Sequence, residues 1–533
     1  MKGIIVAPQP EAVEAGADVL AAGGNAVDAA VACALVQTAV DPIMCGIGGF
    51  GSMQILMGDT HLCLDFHGRA PLATKPDQWQ HLIRGESDDG FGFLLEGEVN
   101  EIGYQSITTP MTLRALDEAL RRFGTRALAD LLPPAIAYAR DGFQVRPHVH
   151  AFWTDVPGGG RVAHEEFLRR CPATAKIYVK PDGTIPRVGE RFCNPDMART
   201  LERIAADGVE DFYTGALAGE IATDMAANGG LLSAEDLAGV APAETEPLWG
   251  SYRGLRIATN RPPGGGVMLL EMLNILECFD LAAMGHNSPD YIATVSEAMK
   301  IATVDKDTHL GDPRFVEVPL ERLTSKDYAA ERAERVKAGE KTHVVRLNSG
   351  SEESKETTHI SVMDGAGNAV SLTHSIGMPS GVVTEGLGFM YNGCMGVFDP
   401  RPGRAGSLAP GKSRFTAMCP SVLFDETGPW AVIGAPGGTY ITMGVLQGIL
   451  NMVDFGMTAA EAVAAPRFCT TSDTVDLTNR VTRATEGALQ ARGYPTRRAG
   501  FSYGFAGVHA LRRGPDGWEG GADPGRDGMA LRV

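Results

Sequence analysis

Thr357 and Thr358 open an alternating run, His359-Ile360-Ser361-Val362-Met363, directly after a charge-rich stretch that ends Glu352-Glu353-Ser354-Lys355-Glu356. A threonine inside a chain is ordinarily inert. Cutting the bond between Glu356 and Thr357 changes that, because the freed α-amine, with an ordinary pKa near ~8, can act as general base for the hydroxyl of the same residue. Composition alone favours a plainer reading, in which a β-branched residue starts a strand.

A second candidate, Ala435-Pro436-Gly437-Gly438-Thr439, lies between a β-like run and a helical one. Attack on an amide places negative charge on the carbonyl oxygen, and glycines let backbone N–H groups approach it in conformations a side chain would obstruct. Losing one such donor typically slows a reaction ~100- to 1,000-fold. The plain alternative is a strand-to-helix turn. No His, Asp or Glu cluster at metal-ligand spacing, Walker-type loop or dinucleotide fingerprint occurs, and the glycine-rich Pro262-to-Val267 stretch lacks the GxGxxG spacing. No metal or cofactor is implied.

The elements that must position these residues follow from periodicity. Glu11 to Val40 carries apolar residues at helical spacing, broken at Gly23-Gly24-Asn25, which predicts two helices joined by a tight turn. Two β-like runs flank Gly58-Asp59. Residues 110 to 300 read as a largely helical layer, and 331 to 356 as a polar, exposed, mobile segment. Beyond Thr357 come two hairpins, His359 to His374 and Ser421 to Pro436, then a helix from Leu446 and a last hairpin near His509. Strands at both ends around a helical middle predict stacked layers, α/β/β/α if helices cover both sheets.

Bulk properties narrow the partners. The 533 residues carry a formal net charge of -18, which disfavours nucleic acid, and no run of ~18 apolar residues suggests a membrane span. Nine scattered cysteines without a CxxC pair, and an N-terminus lacking a signal-peptide pattern, predict reduced thiols and a cytoplasmic protein.

The segment Thr357 to Ser375, TTHISVMDGAGNAVSLTHS, resembles the start of the small subunit in the gamma-glutamyltranspeptidase family of N-terminal-nucleophile hydrolases. The likeness spans nearly the whole chain in family order. It includes GGNAVDAAVA from Gly23, PIMCGIGGFG from Pro42, PPAIAYARDGF from Pro133, FYTG from Phe212, NGGLLSAEDLA from Asn228, RPPGGG from Arg261, EAMKIATVDKDTHLGDPRF from Glu297, and APGGTYI from Ala435 with its later APRF.

This resemblance implies an α+β, four-layered αββα sandwich and a zymogen that cleaves itself between Glu356 and Thr357. Segments 1–356 and 357–533 would then remain together as a heterodimer within one αββα unit. It also implies Thr357 as the catalytic nucleophile forming an acyl-enzyme, Gly437 and Gly438 as the oxyanion hole, and Ser375 as the hydroxyl that steers the nucleophile. Hydrolysis by water is expected rather than transfer, since no residue set argues for an acceptor pocket.

The sequence departs from the family where a glutamyl head is recognised. The arginine of a DFRE-like motif is replaced in Asp65-Phe66-His67-Gly68-Arg69, an asparagine position is Gly377, an amide and an aspartate are Cys394 and Val397, and a serine pair is Thr416-Ala417. Each unmet polar partner in a buried site costs ~1–3 kcal/mol, so useful affinity for glutamyl donors should be lost. The expectation is an amidohydrolase for a linear amide or ureide of a small anionic substrate, with His67, Arg69, Thr416 and Thr358 as candidate contacts. Arg69 reads equally well as a structural ion-pairing residue. Among altered relatives, a small-anion enzyme such as oxamate amidohydrolase fits better than a cephalosporin acylase. A gamma-glutamyl hydrolase or transpeptidase with a rearranged pocket, and a catalytically silent binding protein, are the alternatives.

Overall fold

The computed structural model describes residues 1–86, 92–157, 161–345, 357–500 and 504–533. Glu356, one half of the expected cleavage site, lies outside the described residues.

Two antiparallel sheets form the centre. One has seven strands in the spatial order Met529–Arg532, Gly3–Ala7, Thr358–Asp364, Ala369–Ser375, Phe50–Met57, Thr60–Phe66, Ala243–Thr245. The other has six, in the order Gly517–Ala522, His509–Gly514, Gly428–Gly434, Ser421–Asp425, Leu255–Thr259, Leu248–Tyr252. Their facing sides bury Ile4, Val6, Met363, Val422, Val432 and Leu511, a core that neither sheet could form alone. Segments on both sides of Thr357 contribute strands to both sheets, so the two halves cannot part without breaking ladder hydrogen bonds.

Helices cover the outer faces. Ala26–Val40 packs on the seven-stranded sheet and is buried along its whole length, which explains a sequence that is apolar all round instead of on one stripe. It starts where expected because Asn25 caps it, accepting the N–H groups of Val27 and Asp28 while Asp28 accepts that of Asn25. Gly266–Leu276 and Ile441–Val453 cover the six-stranded sheet. The layers are thus α, β, β, α.

Two expectations need correction. Among its described residues the helical stretch 110–300 contains five strands: the short pair Phe143–Gln144 and Arg191–Phe192, then Ala243–Thr245, Leu248–Tyr252 and Leu255–Thr259. The last two form a hairpin around Arg253-Gly254, both at positive φ, and build the edge of the six-stranded sheet. Of the polar stretch 331–356, residues 346–356 lie outside the described residues, and its beginning belongs to a helix, Lys326–Lys337, capped by Ser325 and anchored by buried Tyr328, Ala329 and Ala333. Three small or aromatic residues at helical spacing suffice to dock a helix whose other faces are charged.

Candidate functional site

Thr357 immediately precedes an interior strand of the seven-stranded sheet. That strand pairs with Ala369–Ser375 so that Thr358 lies opposite His374, which brings Thr357 to Ser375. Thr357 Oγ1 donates to Ser375 Oγ at 3.2 Å, and Ser375 Oγ also accepts the Gly377 N–H at 2.6 Å. Thr357 is only 4% exposed.

Strand alternation sets which way each side chain points. Ile360 and Val362 join the core beneath Ala26–Val40, whereas Ser361 reaches across to the His509 carbonyl of the second sheet. Thr357 is in phase with His359 and Ser361 and faces the second sheet. There the strand Gly428–Gly434 ends in the Gly437-Gly438 turn. Gly437 has φ 139° and Gly438 φ 55°, and a Cβ on Gly437 would lie 2.5 Å from Ala506 Cα, so glycine is needed at both. A single turn, Gly438–Tyr440, then leads into the helix Ile441–Val453, whose N-terminal end carries partial positive charge toward the site.

These groups share a cleft of about 600 Å³ lined by Thr357, Ser375, Gly377, Arg414, Thr416 and Gly438 among others. The nearest histidine along the strand is no base for Thr357. Between the sheets His359 hydrogen-bonds Thr373 Oγ1 at 2.8 Å and Ser361 Oγ at 3.0 Å, and burial holds its pKa well below the ordinary imidazole range.

The structure separates the candidate contacts. Thr416 lines the cleft, while His67, Arg69 and Thr358 do not. Arg69 Nη2 donates to the Ala241 carbonyl at 3.1 Å and its backbone bridges Ser413, so these contacts are to backbone and not to a carboxylate partner. His67 is buried, with Nδ1 3.4 Å from the Gly51 carbonyl and its ring edge-on to Phe50. Thr358 points to the opposite face of the sheet, toward Gln37, because neighbouring strand residues alternate sides.

Arg401 and Arg404 line the cleft paired with Asp399, and a further guanidinium there, which the sequence reading also passed over, is that of Arg414. It is 7% exposed, donates to the Phe415 carbonyl at 2.9 Å, and lies 5.2 Å from the Phe50 ring centroid, so Arg414 and His67 contact the same ring. Its only signal was adjacency to Thr416-Ala417. The altered positions Gly377 and Cys394 also meet here: a Cβ on Gly377, at φ 69°, would lie 2.3 Å from Cys394 Sγ.

A family model described as Gamma-glutamyltranspeptidase matches residues 12–533. The chain is 38% identical over 523 residues to Acylase ACY 1 proenzyme of Pseudomonas sp. (strain V22), covering 97% of this chain and 90% of the relative. It is 33% identical over 491 residues to Glutathione hydrolase proenzyme of Escherichia coli (strain K12), covering 88% and 80%. Among solved structures, the cephalosporin acylase from Bacillus halodurans superposes with a TM-score of 0.87 at 30% identity, over 99% of this chain and 95% of that one.

Proposed function

The chain belongs to the gamma-glutamyltranspeptidase family, and from that premise we propose that it is a self-processing amidohydrolase whose nucleophile is Thr357. The observation that carries this reading is the Thr357–Ser375 hydroxyl pair on the cleft wall beside Gly438. In processing, Thr357 Oγ adds to the Glu356 carbonyl carbon, the C–N bond breaks, and the ester so formed is hydrolysed by water. The products are the Glu356 carboxylate and a free Thr357 α-amine.

Turnover repeats the chemistry on substrate. The amine takes the hydroxyl proton as Oγ adds to the amide carbonyl, and the oxyanion sits toward the Gly437-Gly438 turn and the helix start. Collapse breaks the C–N bond, the leaving amine takes the proton, and the acyl group remains on Oγ. Water, deprotonated by the α-amine, then releases a carboxylic acid and restores Thr357.

The acyl group is anionic on this reading, with Arg414 in place of Arg69 and His67 as its contact and Thr416 beside it. The likeness to proteins named as acylases supports an amide whose acyl group is removed, and a terminal carboxylate on that group is argued from Arg414 in the cleft. A gamma-glutamyl hydrolase is the second reading, favoured by the glutathione hydrolase relatives and disfavoured by Gly377, Cys394 and Val397 in the cleft region.

Denaturing electrophoresis and a set of p-nitroanilides test both. The proposal expects fragments 1–356 and 357–533, and faster release from glutaryl- than from γ-glutamyl-p-nitroanilide. Preferred turnover of the γ-glutamyl compound would establish the second reading instead. A chain that stays intact and inert would mark a silent family member.

A further inference from the structure

Behind the sheet, on the face away from the cleft, a buried polar cluster interrupts an otherwise apolar layer. Gln37 is its centre, on the helix Ala26–Val40. Its Nε2 donates to Thr358 Oγ1 at 2.8 Å, and its Oε1 is 2.8 Å from His374 Nε2. Thr358 and His374 are directly opposed across the two strands. They are the immediate neighbours of Thr357 and Ser375. One amide therefore spans both strands one residue from the hydroxyl pair.

The amide is itself held. Gln37 Nε2 also donates to Gln9 Oε1 at 2.8 Å, and Gln9 Nε2 donates to Asp41 Oδ2 at 2.5 Å. Asp41 Oδ2 lies 3.2 Å from His148 Nε2, and His148 Nδ1 lies 2.7 Å from Asp527 Oδ2. Gln9 adopts φ 62°, a conformation a non-glycine residue keeps only where its surroundings impose it. Gln9, Gln37, Asp41, Thr358 and His374 are all buried, where polar side chains persist only if hydrogen-bonded. Burial depresses the His374 pKa to about 3, so the ring is neutral and presents one N–H, which the Gln37 carbonyl oxygen can accept.

We infer that Gln37, steadied by Gln9 and Asp41, is a positioning residue that sets the separation and orientation of Thr357 and Ser375 from the opposite face of the sheet. It touches neither substrate nor the reacting atoms. This rests on Thr357 as nucleophile, but its consequence is distinct: the register of the hydroxyl pair is fixed by a clamp outside the cleft.

The test follows cleavage of freshly translated full-length chain by denaturing electrophoresis, with thermal midpoints measured in parallel. Gln37→Met and Thr358→Val keep size while removing the bonds. Both should slow cleavage roughly tenfold or more, since small misplacements of reacting groups carry rate penalties up to that order and beyond. Thr358→Ser keeps the hydroxyl and should restore the rate. In processed enzyme assayed with glutaryl-p-nitroanilide, kcat should fall while KM holds.

Wild-type cleavage rates in both Gln37→Met and Thr358→Val overturn the clamp, as does an equal loss in Thr358→Ser and Thr358→Val, or a loss that merely tracks the thermal midpoint. Should Gln37→Met fail to fold, the Thr358 pair decides alone. Absence of cleavage in the wild-type chain would instead remove the nucleophile assignment and the clamp with it.

Discussion

Thr357 and Ser375 meet hydroxyl to hydroxyl at 3.2 Å, and the Gly377 N–H holds the serine oxygen from the other side at 2.6 Å. Eighteen residues separate the pair in sequence, and a single hairpin closes that distance. The serine oxygen accepts both bonds, so the Thr357 O–H is directed at it.

Thr357→Ala should leave an uncleaved chain with no anilide turnover, whereas Thr357→Ser should retain both in reduced measure. Intact-mass spectrometry resolves one species from two. Normal fragments from Thr357→Ala would refute the nucleophile.

Ser375→Ala removes a hydrogen bond worth ~1 kcal/mol, so kcat should fall about five- to tenfold with little change in KM. Steady-state kinetics on processed enzyme reads this directly. A change confined to KM would place Ser375 in substrate binding instead.

Gly377→Ala is expected to be costly. It forces a side chain into φ 69° and toward Cys394 Sγ at 2.3 Å, and strain of this kind costs ~1–3 kcal/mol before the clash is counted. Pairing it with Cys394→Gly should recover part of the loss in a denaturant titration, because the steric conflict is specific to that sulfur. Equal losses with and without the second change would contradict the coupling.

Arg414→Met should raise KM for glutaryl-p-nitroanilide roughly tenfold and leave a neutral acyl anilide unaffected, since a charge-assisted bond contributes ~1.5–3 kcal/mol. Arg69→Met should have no such selective effect, its guanidinium being directed to the Ala241 carbonyl. The ratio of the two substrates' kcat/KM values is the measurement. An unchanged ratio in Arg414→Met would exclude it as the anion contact.

His148 gives stability a defined pH dependence. Burial alone would lower its pKa, but hydrogen bonds with Asp41 and Asp527 outweigh this and raise it above the ordinary imidazole value. The folded protein thus holds the proton more tightly than the unfolded chain. The stabilisation is complete below about pH 6.5, the unfolded value, and is lost as pH rises through the higher folded one. Thermal midpoints of wild type and His148→Gln should differ most at pH 5 to 6 and converge on the alkaline side. A gap that widens with rising pH would reverse the sign.

Much of the fold was legible because local rules and tertiary context agree. Asn25 and Asp28 cap a helix that could only be buried, and Gly367-Asn368 closes the hairpin that carries Thr357 and Ser375. The strands from Ala243 to Thr259 were absorbed into a helical layer although Arg253-Gly254 marks a hairpin turn, because each is at most five residues and follows a long helical run. Thr357, Ser375, Gly437 and Gly438 were named from sequence through motif order, and the structure brings Thr357, Ser375 and Gly438 to one cleft.

Of the candidate contacts named from sequence only Thr416 lines the cleft, and Arg414 was not named, for a physical reason. Alternation in a strand says that Thr357 and Thr358 face opposite ways, but only the stacked layers decide that one face is a cleft and the other the underside of a helix. Likewise Asp65 to Arg69 and Lys412 to Thr416 both offer cations, and nothing local says which shares the cleft with Thr357. Packing decided it: Arg69 is taken up by the Ala241 carbonyl, and Arg414, laid beside Phe50, lines the cleft. The sequence by itself pointed to the Thr357–Ser375 pair and to the layers around it. The tertiary structure alone determined which cation shares the cleft with the pair and which amide holds it from behind, because Gln37 lies 321 and 337 residues from Thr358 and His374, and Arg414 is placed by packing on the distant Phe50, beyond the reach of any periodicity.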